Sequence, residues 1–188
     1  MKFVIEHLEE GLSKWSFLEY VNISRIVGKE NLIFTNIKKK FFEKLKDYGS
    51  VFEKSVVDLN LRNVCVLDPE AEKTLMHEDS KRFEYFVFGG ILGDFPAKKR
   101  TKKFLTSKLN CESRNLGKKQ MPTDTAVKVA KLILEGKKLG ELKFKDRVVL
   151  KIGKYDEVIL PFRFLLDENG NPEITPGIID YLKNKKGF

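Results

Sequence analysis

Apolar residues come in short runs and helical stripes, and the stretch that organises them is 84–94, Glu-Tyr-Phe-Val-Phe-Gly-Gly-Ile-Leu-Gly-Asp. Tyr85, Phe86, Val87 and Phe88 are consecutive apolar positions, the pattern of a strand covered on both faces in a parallel sheet. The run stops at Gly89-Gly90, with Gly93 and Asp94 just beyond. Glycine permits tight turns and lets a ligand approach the main chain. A buried strand entering such a loop is where α/β folds bind ligands, at the carboxyl edge of the sheet.

The pattern predicts further strands at 2–7, 31–35, 63–67, 144–152 and 157–166, and a short one at 110–113. Ser13 is placed to cap a helix that runs to Val27 and ends at Gly28. Its residues Phe17, Leu18, Tyr20, Val21, Ile26 and Val27 form a broad apolar face. Other helices are expected over 38–47, 70–80 and 98–109. Pro122 precedes an amphipathic helix capped by Thr123 or Asp124, with Ala126, Val127, Val129, Ala130, Ile133 and Leu134 on its apolar side. A last helix runs from Pro176 to Lys183. Residues 49–60 read as a short strand and a turn. Alternating strands and helices give an α/β class.

Three of these strands run into loops with turn or ligand chemistry: Leu67-Asp68-Pro69, Gly89 to Asp94, and Arg114-Asn-Leu-Gly117 continuing to Thr125. If the strands are parallel neighbours, all three loops share one edge and line one cleft. Singly, each loop is accounted for as a turn or a cap; their joint placement suggests a site. The glycine spacing is not G-x-G-x-x-G and no P-loop is present, so a phosphate cradle is not implied.

Composition narrows the classes. Two cysteines, Cys65 and Cys111, imply neither a disulfide framework nor a zinc motif, and no metal site is expected. No apolar run is long enough to span a bilayer, and the N-terminus lacks a signal peptide's pattern, so a cytoplasmic protein without a membrane partner is expected. The 36 basic against 27 acidic residues give a net charge of +9. That favours an anionic partner such as nucleic acid or a ribosome surface, or else is the Lys- and Glu-rich surface of a heat-adapted protein. Lys98–Lys103 and Lys118–Lys119 lie beside the glycine loops, which favours the partner.

Phe86 to Asp94, with Arg100-Thr101, Arg114 to Gly117, Gln120-Met121 and Thr123 to Ala126, resembles the SPOUT-type family described as predicted S-adenosylmethionine-dependent RNA methyltransferases. That family includes a yeast enzyme that methylates an arginine of a ribosomal protein. Ile5 to Gly11, Leu18 to Tyr20, Pro161 to Arg163 and Leu166-Asp167 are similar to it as well; residues 36–60 match nothing in it. The resemblance implies an α/β knot, with a trefoil knot in the C-terminal half of the chain. It implies a methyltransferase core over 1–143 and an extension over 144–188 packed on it as one unit. It also implies S-adenosylmethionine held by Leu67, Asp68 and Pro69, by Gly89, Gly90, Ile91, Leu92, Gly93 and Asp94, and by Leu116, Gly117, Met121, Thr123, Thr125 and Ala126.

Transfer to an arginine would use carboxylates that hold the guanidinium in a bidentate grip. Glu6, Glu9, Glu10, Glu19 and Asp94 offer them. Transfer to tRNA or rRNA would use Lys98, Lys99, Arg100, Arg114 and Lys118 on phosphates. The expected catalytic set is Glu10, Glu19, Asp94 and Arg114, with His7 as a further candidate base. A ribosomal-protein arginine is the first expected substrate and RNA the alternative. A non-catalytic RNA- or ribosome-binding module is a third reading. Both a homodimer and a monomer that completes its site with residues from Phe144 onward are compatible with the sequence.

Overall fold

The computed structural model describes residues 1–93, 98–153 and 156–184. Strands β1 (Lys2–His7), β2 (Leu32–Thr35), β3 (Ser50–Val51), β4 (Val64–Leu67), β5 (Tyr85–Gly90) and β6 (Glu112–Arg114) form one sheet in the order β3-β2-β1-β5-β4-β6. Every neighbouring pair is parallel. Their side chains alternate between two covered faces, so strands with continuous apolar runs are buried throughout. Phe3, Ile5, Cys65, Leu67, Phe86 and Phe88 join one core, which also holds residues of α1 (Lys14–Val27) and α4 (Thr123–Leu134). Val4, Val64, Val66 and Val87 join a second core with Val56 and Leu105. The three loops expected to share an edge do share it.

Ser13 caps α1 by accepting from the Ser16 N–H, and Gly28 ends the helix at φ 81°. At α4 the outcome differs. The N-cap is Pro122, without a side-chain cap bond, and Asp124 spends its carboxylate on tertiary partners instead. Over 38–47 the chain forms a 3₁₀ turn and the short α2 (Phe42–Leu45). The helix expected over 70–80 shrinks to α3 (Asp79–Arg82). The reason is tertiary. Asn115 accepts at its backbone from the Leu75 N–H and donates its own N–H to the Lys73 carbonyl, and its side chain donates to the Ala71 carbonyl at 2.9 Å. Those bonds hold 71–75 extended beside the segment after β6.

Strands β7 (Phe144–Lys151) and β8 (Glu157–Leu165) form a separate antiparallel pair. Val148, Leu160 and Phe164 pack it onto Trp15 and Ile174. The chain continues to α5 (Ile178–Asn184). Among the described residues no helix is long and apolar enough to cross a membrane.

Glu6 explains how 36–60 is fastened. It is buried at the end of β1, where its carboxylate accepts from Thr35 Oγ1 (2.5 Å), Ser55 Oγ (2.6 Å) and the Val56 N–H (2.9 Å). Glu6 is therefore committed to the fold and is not available to a substrate. Glu6→Ala strands three donors, one at the end of β2 and two at Ser55 and Val56. Urea denaturation should show a loss of about 2–4 kcal/mol, with hydrogen exchange rising first over 52–60; unchanged stability would refute the role.

Candidate functional site

A cavity opens at the carboxyl ends of β4, β5 and β6. Leu67, Asp68 and Pro69 line it from β4, and Phe88, Gly89 and Ile91 from β5. Leu116, Gly117, Met121, Thr123 and Ala126 line it from the segment after β6. Glu70, Lys98, Lys99, Arg100, Thr101, Lys118, Lys119 and Gln120 are the other described residues that line it. A second cavity shares Ile91 and Met121 with the first and is otherwise lined by Trp15, Glu19, Leu92, Gly93, Pro122 and Phe162. Their volumes, about 180 and 210 Å³, exceed by more than tenfold the ~10–15 Å³ that one water needs. Both therefore have room for parts of an organic ligand.

The first cavity is apolar in its walls and basic at its rim. Much of its polar lining is already engaged. Asp68 accepts from the Glu70 N–H (2.9 Å) and Thr106 Oγ1 (2.6 Å), which folds the β4 loop onto the helical turn at Lys102–Thr106. Lys99 pairs with Glu70, Lys119 with Asp146, and Lys118 donates to the carbonyls of Pro69 and Ala71. Gly117 sits at φ 91°, a left-handed backbone that glycine adopts without strain.

The second cavity is acidic at Glu19, the one ionisable residue in its lining among the described residues. Trp15, one helical turn earlier on α1, donates its indole N–H to Glu19 Oε1 at 2.9 Å. Burial, and then the nearby Asp124 carboxylate, push the Glu19 carboxyl up to about 8. Asp124 is itself buried and raised by burial, against the pull of its donors Thr175 (2.6 Å), Asn22 (2.8 Å) and the Thr125 N–H (2.8 Å). Phe162 of β8 closes the far wall so tightly that a Cβ on Gly93 would lie 2.5 Å from its ring.

Glu9 ties the two cavities together. Its Oε1 accepts from the Leu92 N–H (3.0 Å) and from Arg100 Nη1 (2.8 Å), and Arg100 also donates to the Leu8 carbonyl (3.2 Å). The loop that walls the second cavity is thus clasped to a residue of the first.

Other expected site residues fall elsewhere. Arg114 is buried, with Nε and Nη2 on the Asp79 carboxylate and Nη2 also on Glu112, beneath the Phe83 ring. It lines neither cavity, and its role is to lock β6 to α3. Glu10 is exposed and also outside both cavities. Gly90 faces inward: a Cβ there would lie 2.2 Å from the Tyr20 hydroxyl, so the second glycine makes room for packing rather than for a ligand. Thr125 is buried at the start of α4 and lines neither cavity. Leu92 and Gly93 wall the second cavity, not the first. Asp94 lies outside the described residues. His7 is buried, bonds Tyr20 Oη through Nδ1 at 2.7 Å, and is held below its ordinary range by burial, away from both cavities.

Trp15 and Phe162 were not among the expected site residues. The signal for Trp15 was its place four residues before Glu19 on one helix face; for Phe162, 40 or more residues from the segments it meets, the signal was its place in the Pro161–Arg163 stretch that carries the resemblance.

Two outcomes follow. Arg114→Met leaves Asp79 buried without its cation and should cost about 3–5 kcal/mol in a urea titration; a loss under 1 kcal/mol would remove Arg114 from the fold's supports. Glu19 gives a pH signature. An unfolded carboxyl titrates near ~4.3, whereas the folded one titrates at about 8. Between those values the folded state holds the extra proton, so stability falls as pH rises, and the fall ends above the folded value. Glu19→Gln carries no such proton, so its Tm advantage over the parent should widen from pH 5 to pH 8; parallel curves would contradict this.

The chain is similar to known proteins over nearly its whole length. A family model described as protein arginine N-methyltransferase SFM1-like matches residues 2–187. Protein arginine N-methyltransferase SFM1 of Saccharomyces cerevisiae is 40% identical over 201 residues, covering 97% of this chain and 94% of that protein. The crystal structure of the yeast arginine methyltransferase SFM1 complexed with SAM superposes with a TM-score of 0.88 at 40% identity, over 97% of this chain and 89% of that one. The corresponding complex with SAH gives 0.89 at 39%, over 97% and 94%. A dual specific Trm10 from Thermococcus kodakaraensis shares the fold, with a TM-score of 0.57 at 18% identity over 75% of this chain and 96% of that one.

Proposed function

The chain belongs to the SFM1-like family of protein arginine N-methyltransferases, and from that premise we propose that it methylates an arginine of a ribosomal protein, with S-adenosylmethionine in the first cavity and the guanidinium in the second. The residues present fit the cofactor. Leu67, Phe88, Ile91, Leu116, Met121 and Ala126 give apolar walls for an adenine, the β4 and β5 loops offer main-chain groups, and the lysine-rich rim suits a carboxylate. When bound, the cofactor supplies a methyl group on a sulfonium, the electrophile of the reaction.

The chain's own residues do the rest. Trp15, Phe162 and Met121 exclude water around an arginine side chain, and Glu19 is the group that meets its guanidinium. An ionised carboxylate there accepts N–H bonds and orients one nitrogen toward the shared wall at Ile91 and Met121. As the nitrogen–carbon bond forms and the sulfur–carbon bond breaks, the nitrogen's proton passes to the Glu19 carboxylate. The single observation that carries this reading is one carboxyl, raised by burial, at the lining of a cavity that adjoins the first.

The same reading takes the core, 1–143, as a SPOUT-type α/β knot with a trefoil in its C-terminal half. The lacing of Asn115 and Lys118 to the loop after β4 supports it. Residues 144–188 are then an extension that completes the site within one chain, so the enzyme acts as a monomer. It works in the cytoplasm beside an RNA-bearing particle, which suits a net charge of +9. An RNA substrate is the second reading, favoured by the basic rim of the first cavity. Labelled methyl from S-adenosylmethionine, given with this enzyme to a lysate lacking it, should enter protein as methylarginine. Glu19→Gln should lower kcat by about 10²–10⁴ with little change in cofactor Kd. Label in RNA would transfer the proposal to the second reading, and full activity of Glu19→Gln would end the assigned role.

A further inference from the structure

Glu19 and Asp124 form a buried carboxyl pair whose two members are treated unequally. Both are about nine-tenths or more enclosed, at 5% and 3% exposure. Asp124 receives three donors from three parts of the chain: Asn22 of α1, Thr175 of the segment before α5, and its neighbour's N–H at the first turn of α4. Glu19 receives the Trp15 indole and faces Thr123, while its remaining side opens on the second cavity. Asn22, one turn beyond Glu19 on α1, donates to Asp124 and so sets α1 and α4 with the two carboxyls in one buried cluster; two like charges there are not both ionised without cost, so the pair retains a proton, and the member with more donors keeps the charge.

We propose that Asp124 is a positioning residue for the reaction: locked as a carboxylate by Asn22, Thr175 and the Thr125 N–H, it keeps Glu19 protonated in the empty pocket, so that an entering guanidinium displaces that proton. The inference rests on the proposed arginine reading. Burial alone would raise Glu19; the charge of Asp124 adds to it. The surrounding charges do not cancel the effect. On the β1 side Glu9 is paired with Arg100 and Glu6 is consumed by Thr35, Ser55 and the Val56 N–H. On the α4 side Lys128, one turn on from Asp124, is paired with Glu173. The entering guanidinium is the cation that Glu19 lacks, and the expelled proton goes to solvent. The resulting carboxylate is then the acceptor for the proton that the nitrogen loses on methylation. The protonated state also discriminates. A neutral ligand finds a neutral carboxylic acid, and only a cation converts it into a partner.

The test is proton-linked binding. N-acetyl-arginine amide is titrated calorimetrically into the complex of the enzyme with S-adenosylhomocysteine, in buffers of different ionisation enthalpy. Near pH 7 close to one proton should be released per molecule bound, falling to zero well above pH 9 and absent in Glu19→Gln. Asp124→Asn should bind the probe with less proton released at pH 7, and with the decline of release moved to lower pH, because only burial then raises Glu19. Thr175→Val keeps the carboxylate and removes one donor; it should lower the release in the same direction and serves if Asp124→Asn does not fold. Binding without release in the parent, or release unchanged in both variants, overturns the assignment of Asp124 while leaving the arginine reading intact. No binding at tens of millimolar probe overturns both.

Discussion

A buried carboxyl needs donors, a cation or a proton, and the described part of this molecule contains five such groups, Glu6, Glu19, Asp68, Asp79 and Asp124. Four are matched by the chain itself. Glu6 takes a threonine, a serine and a backbone N–H, and so fastens 52–60 to the sheet. Asp68 shapes the loop after β4, and Asp79 holds Arg114 and the Met76 N–H. Asp124 joins α1, α4 and the chain before α5. The fifth, Glu19, has the Trp15 indole and a raised affinity for its proton, and its remaining side faces a cavity. The same cost of burial that makes four carboxylates structural makes this one chemical.

Sequence carried the sheet and its ligand edge well because both are local and periodic. An uninterrupted apolar run such as Tyr85 to Phe88 has few places to go except between two covered faces. It failed where a side chain's partner is distant in sequence. The stretch 70–80 has helical composition, yet Asn115, forty or more residues away, holds 71–75 extended. Arg114 follows a site-like strand and looks available until Asp79 is seen 35 residues back. Gly90 reads as part of a ligand loop until the Tyr20 hydroxyl is found where its side chain would be. Charge and glycine mark the neighbourhood of a site, and packing decides which of them face it.

The two cavities are mechanically joined. Ile91 and Met121 belong to both, and Glu9 binds the Leu92 N–H and Arg100 with one oxygen. A ligand that moves Arg100 therefore acts on the wall of the neighbouring cavity through a single carboxylate.

The hairpin β7–β8 supplies Phe162 to the second cavity, and the chain beyond it supplies Thr175 to Asp124, so this region is assembled from residues late in the order of synthesis. The strands and loops of the first cavity are all in place by Ala126. At ~5–20 residues per second, residues 127–162 take roughly two to seven seconds to follow. During that interval a growing chain has the walls for the methyl donor but no closed room for an acceptor. Order of synthesis thus sets the walls of the first cavity ahead of the wall that Phe162 gives the second.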